Sequence, residues 1–297
     1  MKQPVFEGVC TALVTPFRNG TIDTRKLQQL LDHQMQNGVK AVVLFGTTGE
    51  SPTLTTEEKI SMLKIARNHT AGSMTIIAGA GCNDTARTIE FGRVADSLGA
   101  DALLVVTPYY NKTTQQGLIE HYTMIADAVS CPVILYNVPS RTGLDISVES
   151  CCVLSRHPNI GGIKEACGNL SKVQRILDQC GDDLPVWSGN DDQIVSMQAI
   201  GARGVISVLS NILPKETASL YELCKQNNYT SAGKMQCGLM QLIDALFREV
   251  NPIPVKAAMN LLGYDVGLPR RPLVDASAET KAILTELIQT HSISRFT

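Results

Sequence analysis

Asn159-Ile160-Gly161-Gly162-Ile163-Lys164-Glu165-Ala166 is the stretch from which the fold is read. A short apolar run of strand type ends in a lysine, and a helical pattern opens soon after, at Asn169. A lysine at the C-terminal end of a buried strand stands at the mouth of an α/β fold, partly shielded from water. Desolvation disfavours the ammonium and lowers its pKa, so a fraction becomes free amine. A free amine attacks carbonyl carbons and forms a Schiff base. The competing reading is that Lys164 snorkels its charge into solvent or pairs with Glu165. The company it keeps decides between them.

The same strand-then-helix alternation extends both ways from this stretch. Upstream, a first strand over about 7–14 precedes a helix capped by Asp23 or Thr24, with Leu27, Leu30, Leu31 and Met35 on its apolar face and Gly38 at its end. The run Val39–Phe45 precedes a helix capped by Thr55 or Thr56, and the strand at 74–78 precedes a helix over about 84–98. Strand 102–106 leads to a helix over about 114–129, and strand 133–137 to one over about 147–156. The lysine strand is the sixth, followed by a helix over about 170–180. Residues 185–187 and 204–208 are the seventh and eighth strands, followed by helices over 191–200 and from about Pro214, a residue suited to a first helical turn.

Eight such units predict an α/β fold of the (β/α)8 TIM barrel type with a C-terminal helical appendage. An open doubly wound sheet would usually carry a glycine-rich dinucleotide turn after its first strand, and none is present. The barrel is assigned to residues 1–228 and the helical region to 229–297, with helices over 231–248, 253–262 and 277–290. No low-complexity linker separates the two, so independent movement is not expected.

Composition narrows the function. The chain has 297 residues, a formal net charge of −2 and 44% hydrophobic residues, enough for a large core. No basic block suits nucleic acid or an anionic membrane, and no run of about 18 apolar residues suits a spanning helix. The N-terminal segment MKQPVFEGVCTALVTPF reads as the first strand rather than a signal peptide. Nine cysteines without framework spacing predict a reduced, cytoplasmic protein. The five histidines show no H-x-x-H or H-E-x-x-H spacing, so no metal is expected, and the strand-end inventory calls for no cofactor.

The strand ends supply the chemistry. The second strand ends in Gly46-Thr47-Thr48-Gly49-Glu50-Ser51, whose hydroxyls and exposed amides suit a carboxylate. It is not a Walker loop, since no G-K-[ST] follows, and such a turn is often only a turn. The fourth ends in Thr107-Pro108-Tyr109-Tyr110-Asn111. The fifth ends in Tyr136-Asn137-Val138-Pro139-Ser140-Arg141-Thr142-Gly143, placing a phenol at the barrel mouth and an arginine that can fork a carboxylate or pair with a neighbouring acid. Gly189, after the seventh strand, permits close approach. Ile206 in the eighth lines the mouth or fills the barrel. A lysine amine, a tyrosine acid/base, hydroxyl-rich carboxylate binding and one arginine suit carbanion chemistry on a 2-oxo acid.

With G-T-T-G-E-S at 46–51, T-P-Y-Y-N at 107–111, Y-N-V-P-S-R-T-G at 136–143 and G-I-K-E-A at 162–166, the chain resembles the dihydrodipicolinate synthase group within the N-acetylneuraminate lyase family. The likeness spans nearly the whole chain. It implies that Lys164 forms a Schiff base with pyruvate, whose carboxylate is held near Thr47 and Thr48. The derived enamine then attacks L-aspartate 4-semialdehyde, a step in lysine and diaminopimelate biosynthesis. It further implies Tyr136 as general acid/base, linked through Thr47 to Tyr110 of a neighbouring subunit. Arg141 would bind the semialdehyde carboxylate, with Gly189 and Ile206 lining the pocket. The implied assembly is a homotetramer, a dimer of dimers.

Sugar-acid aldolases and N-acetylneuraminate lyases share the lysine and tyrosine, and Arg141 is what favours the semialdehyde. A non-catalytic ligand-binding barrel is the remaining alternative. Lysine-inhibited members carry a regulatory groove whose counterparts here include Ser51, Asn83 and Tyr109. Thr56, Lys59 and Arg87, however, replace two histidines and a glutamate, and the added positive charge repels a lysine ammonium. Weak or absent lysine inhibition is expected.

Overall fold

The computed structural model of the chain describes residues 2–296. Strand β1 (Gly8–Ala12) is followed by a hairpin of β2 (Phe17–Arg18) and β3 (Thr21–Ile22), then by α1 (Thr24–Gln36). The chain continues through β4 (Ala41–Leu44), α2 (Thr56–Thr70), β5 (Thr75–Gly79), α3 (Thr85–Ser97), β6 (Ala102–Val106), α4 (Gln115–Ala128) and β7 (Val133–Asn137). A short turn of helix, α5 (Pro139–Thr142), precedes α6 (Val148–Ser155), β8 (Ile160–Glu165) and α7 (Leu170–Cys180). Then come β9 (Val186–Ser188), α8 (Ile194–Ala199), β10 (Gly204–Ser207) and α9 (Pro214–Lys225). Helices α10 (Tyr229–Leu246), α11 (Ile253–Leu261) and α12 (Ala278–Thr290) form the C-terminal part.

Setting the hairpin aside, all strands pair in parallel with their sequence neighbours, and β1 pairs with both β4 and β10 to close the barrel. This is the (β/α)8 architecture that the alternation implied. Local chemistry starts the helices where the sequence placed them. Asp23, Asp84, Thr114, Ser147 and Asn169 each accept a backbone N–H from the first turn of their helix. Thr55 and Glu58 form a reciprocal capping box at the start of α2.

Two features depart from the sequence reading. The hairpin at 17–22 was not expected; it turns through Asn19 and Gly20, both at positive φ, as a tight two-residue hairpin turn requires. The helix expected from Asp191 starts as a 3₁₀ turn over Asp191–Gln193 and becomes α-helical only at Ile194. The Asp191 carboxylate is turned inward, where it accepts the N–H groups of Val208 and Leu209 at 2.9 and 2.8 Å, and so does not cap the helix.

Alternate residues of each strand face opposite sides, which builds two cores. Inside the barrel lie Cys10, Ala12, Ala41, Val43, Ile77, Ala102, Leu104, Ile134, Tyr136 and Ile206, closed below by Phe6 stacked on Trp187 at 4.9 Å between centroids. The Trp187 indole donates to the Phe6 carbonyl at 3.1 Å. Room for that indole depends on Gly162, at φ +147°, where a Cβ would lie 2.5 Å from the ring. Between strands and helices runs the larger core, which includes Val42, Leu44, Leu103, Leu135, Ile163 and Val186.

Helix α10 packs against α8, α9 and α12, and α11 packs against α12. Residues Ile253–Met259 of α11 are all buried, among them Lys256. Among the described residues no helix is long and apolar enough to cross a membrane.

Candidate active site

The C-terminal ends of the strands surround a cavity of about 150 Å³. Its lining includes Thr47, Thr48, Tyr136, Arg141, Lys164 and Gly189, all read from the sequence as site residues. Four strand ends, those of β4, β7, β8 and β9, separated by up to 142 residues from Thr47 to Gly189, therefore converge on one point.

The centre is the β7–β8 ladder. Tyr136 pairs with Lys164 in register, and Lys164 pairs with Trp187 of β9. In-register neighbours of a parallel sheet project to the same side about 4.8 Å apart. The Lys164 ammonium accordingly lies 4.2 Å from the centroid of the Tyr136 ring. Both side chains are buried, with Lys164 only 6% exposed. Lys164 forms no ion pair with Glu165. That carboxylate instead accepts from Asn137 Nδ2 at 2.8 and 3.0 Å and lies 3.3 Å from Lys172. Lys172 also meets Asp145 at 2.5 Å. The cluster ties the loop after β7 to the end of β8 and leaves the Lys164 amine directed into the cavity.

Gly189 completes the wall beside the lysine. A Cβ there would lie 3.0 Å from Lys164 Cε and 2.7 Å from Ala166 Cβ, so only glycine lets β9 pass so close. Asp191, beyond it, is fully enclosed. Burial pushes its carboxyl above the usual range, opposed by Ser207, by the N–H groups of Leu209 and Val208 and by the charge of Lys164. Cys10, in the barrel interior, has its thiol pushed well up by burial, with Lys164 opposing.

Thr47 is half-buried and Thr48 is buried. Their loop is anchored from beneath: the Thr15 hydroxyl donates to the Gly49 carbonyl at 2.6 Å. Glu50, at φ +59°, points away from the cavity toward Lys256. Arg141 stands exposed at the rim without an ion-pair partner among the described residues.

Two residues of the sequence reading lie elsewhere. Tyr110 is 93% exposed, at φ +69°, and does not line the cavity. Ile206 is fully buried in the inner barrel core, below the cavity, and Val208 lines the wall instead. Of the groove residues, Asn83 and Tyr109 are brought together, and the Asn83 carbonyl also accepts from Asn111 Nδ2 at 2.8 Å. Burial, with Cys82 adding to it, raises the Tyr109 phenol pKa. Lys59 lies nearby, its ammonium 5.2 Å from the Phe91 centroid and its pKa lowered by burial. Ser51 opens the 3₁₀ turn after Glu50.

The sequence reading missed lining residues from the C-terminal part, Phe247 and Asn251. Asn251-Pro252 was legible only as a break between helices. Among the described residues, no group of three His, Cys, Asp or Glu side chains is placed to hold a metal ion.

The sequence model described as the dihydrodipicolinate synthetase family matches residues 5–291. The 4-hydroxy-tetrahydrodipicolinate synthase of Exiguobacterium sibiricum is 50% identical over 288 residues, covering 97% of this chain and 98% of that protein. The crystal structure of dihydrodipicolinate synthase from Thermotoga maritima superposes with a TM-score of 0.95 at 39% identity, covering 97% of this chain and 99% of that one. The enzyme from Cyanidioschyzon merolae, crystallised with lysine bound, gives a TM-score of 0.95 at 38% identity over 98% of this chain and all of that one.

Proposed function

The chain belongs to the dihydrodipicolinate synthetase family, and from that premise we infer that it carries out the 4-hydroxy-tetrahydrodipicolinate synthase reaction, a Schiff-base lyase activity joining pyruvate to L-aspartate 4-semialdehyde. The observation that carries the assignment of roles is the in-register pair of Lys164 and Tyr136, ammonium 4.2 Å from ring, above an apolar barrel core and beside two threonines.

Lys164, as free amine, adds to the pyruvate C2 carbonyl, and loss of one water gives the imine. A proton leaves the methyl carbon, with Tyr136 relaying protons, and the resulting enamine carbon attacks the aldehyde. The amino group of the semialdehyde then adds to C2 and displaces the Lys164 amine, closing the ring. Thr47 and Thr48 hold the pyruvate carboxylate through hydroxyls and loop amides. Arg141, exposed at the rim, receives the semialdehyde carboxylate in bidentate fashion. Gly189 gives the substrate access to the lysine.

The proton relay through Thr47 continues to Tyr110 of a second copy of the chain. In support, an aromatic side chain 93% exposed on a left-handed backbone is a group that another subunit would cover. The assembly proposed is a homotetramer of two such dimers, acting in the cytoplasm. Residues 1–228 form the catalytic barrel, and 229–297 the region that braces it. Ser51, Asn83 and Tyr109 retain part of a regulatory groove, but Lys59 and Arg87 set positive charge beside it, and lysine inhibits weakly or not at all.

The test is borohydride trapping. Reduction in the presence of pyruvate is expected to leave an adduct on Lys164, and turnover is expected with the semialdehyde rather than with sugar acids. Absence of an adduct at saturating pyruvate overturns the mechanism.

A further inference from the structure

The carboxylate-binding loop is held from outside the barrel. Asn251, in the turn between α10 and α11, donates its side-chain amide to the Thr48 hydroxyl at 2.9 Å. Both residues are buried and both line the cavity. Five residues on, Lys256 reaches the same loop. Its ammonium donates to Glu50 Oε1 at 2.8 Å, to the Thr15 carbonyl at 3.0 Å and to the Leu268 carbonyl at 3.3 Å. The second Glu50 oxygen accepts the Arg270 backbone N–H at 2.7 Å. The C-terminal region thus grips Thr48 and Glu50, two residues apart on one loop.

The direction of the Thr48 bond matters. A hydroxyl carries one hydrogen and two lone pairs, whereas an amide nitrogen donates only. Asn251 Nδ2 therefore occupies a lone pair of Thr48 Oγ1 and cannot take its hydrogen. Asn251 Oδ1 is buried without a partner among the described residues, and Nδ2 makes the contact with Thr48. The Thr48 hydrogen is left for an acceptor in the cavity.

We propose that Asn251 is a positioning residue for the 2-oxo acid: its amide turns the Thr48 hydroxyl into a donor aimed at the substrate carboxylate. This rests on the Schiff-base reading of the same cavity. It assigns to the C-terminal region a role in substrate affinity beyond packing.

The isosteric change Asn251→Asp separates this role from simple bracing. An aspartate still bonds Thr48 but buries a carboxylate, so some fall in the thermal midpoint is expected and affinity is read well below it. But it accepts the hydroxyl hydrogen and faces the substrate carboxylate with a like charge. The measurement is the pyruvate concentration that half-saturates borohydride-trapped adduct on Lys164, together with steady-state constants. Asn251→Asp is expected to raise the half-saturating concentration about 10- to 100-fold, the range for losing a hydrogen bond to a charged group. Asn251→Ala should raise it less, and the KM for the semialdehyde should stay within about twofold in both.

Wild-type-like pyruvate affinity in Asn251→Asp, or weaker affinity in the alanine variant than in the aspartate one, overturns the proposal. If Asn251→Asp does not fold, a cycle of Thr48→Val, Asn251→Ala and the double variant decides. Losses that do not add place Asn251 upstream of Thr48, and additive losses refute it. No adduct in the unaltered protein would instead sink the Schiff-base reading, a result distinguishable from an adduct whose pyruvate dependence ignores residue 251.

Discussion

Lys256→Met is the perturbation whose cost the structure states most directly. Lys256 is 0% exposed and Glu50 2%, so their contact is a buried ion pair. The ammonium satisfies three oxygens and lies 4.4 Å from the Phe17 ring centroid. Burial lowers its pKa, with Glu50 opposing that shift. Methionine fills much of the space but removes the charge. Glu50 is then left buried with the Arg270 N–H as its remaining donor, and the Thr15 and Leu268 carbonyls lose the ammonium.

Breaking one side of a buried pair costs about 3–5 kcal/mol. At about 2–3 °C per kcal/mol for a chain of this size, the thermal midpoint should fall by roughly 6–15 °C. Scanning calorimetry at fixed protein concentration measures it. Adding Glu50→Gln removes the stranded charge while keeping an acceptor for Arg270, and the double variant should regain at least about 2 kcal/mol. A single-variant loss below about 1 kcal/mol, or a double variant no more stable than the single, would refute the reasoning.

Other expectations follow from the site. Tyr136→Phe should lower kcat by about 10²- to 10⁴-fold while the Lys164 adduct still forms, and mass analysis together with turnover checks this. Arg141→Ala should raise the KM for the semialdehyde at least about tenfold without changing pyruvate trapping. In acid, burial holds the His121 pKa down to about 4, against an ordinary value of about 6.5. The unfolded chain therefore binds more protons between those limits, and stability should fall as pH drops from about 6.5 toward 4, by at most ~1.4 kcal/mol per pH unit from this group. His121→Gln should flatten that slope in pH-dependent unfolding, and an unchanged slope would exclude it. A lysine titration of the initial rate should show little inhibition at millimolar concentration, and strong inhibition there would overturn the charge argument at Lys59 and Arg87.

Much of the molecule is legible locally. Helix starts follow from side chains that reach N–H groups within three residues, as at Thr55 and Glu58. Strands β6 and β7 coincide with the apolar runs read for them. The strand ends could be listed because a parallel barrel puts each of them on the same face. Less was legible where side-chain direction decides. Ile206 alternates into the barrel core while Val208, two residues on, reaches the cavity past the end of β10, where the backbone leaves the pleat. Tyr110 belongs by sequence to the same loop family as Tyr136, but its backbone turns the ring outward.

Periodicity, caps and strand-end residues by themselves determined the barrel, the lysine at its mouth and the tyrosine beside it, because those signals act within a few residues of the chain. The bracing of the site was decided only by tertiary structure. Asn251 meets Thr48 across 203 residues and Lys256 meets Glu50 across 206. No local pattern encodes such contacts. They arise because α11 lies against the loops that follow β1 and β4, and a buried amide and a buried ammonium must find oxygens wherever the fold has left them.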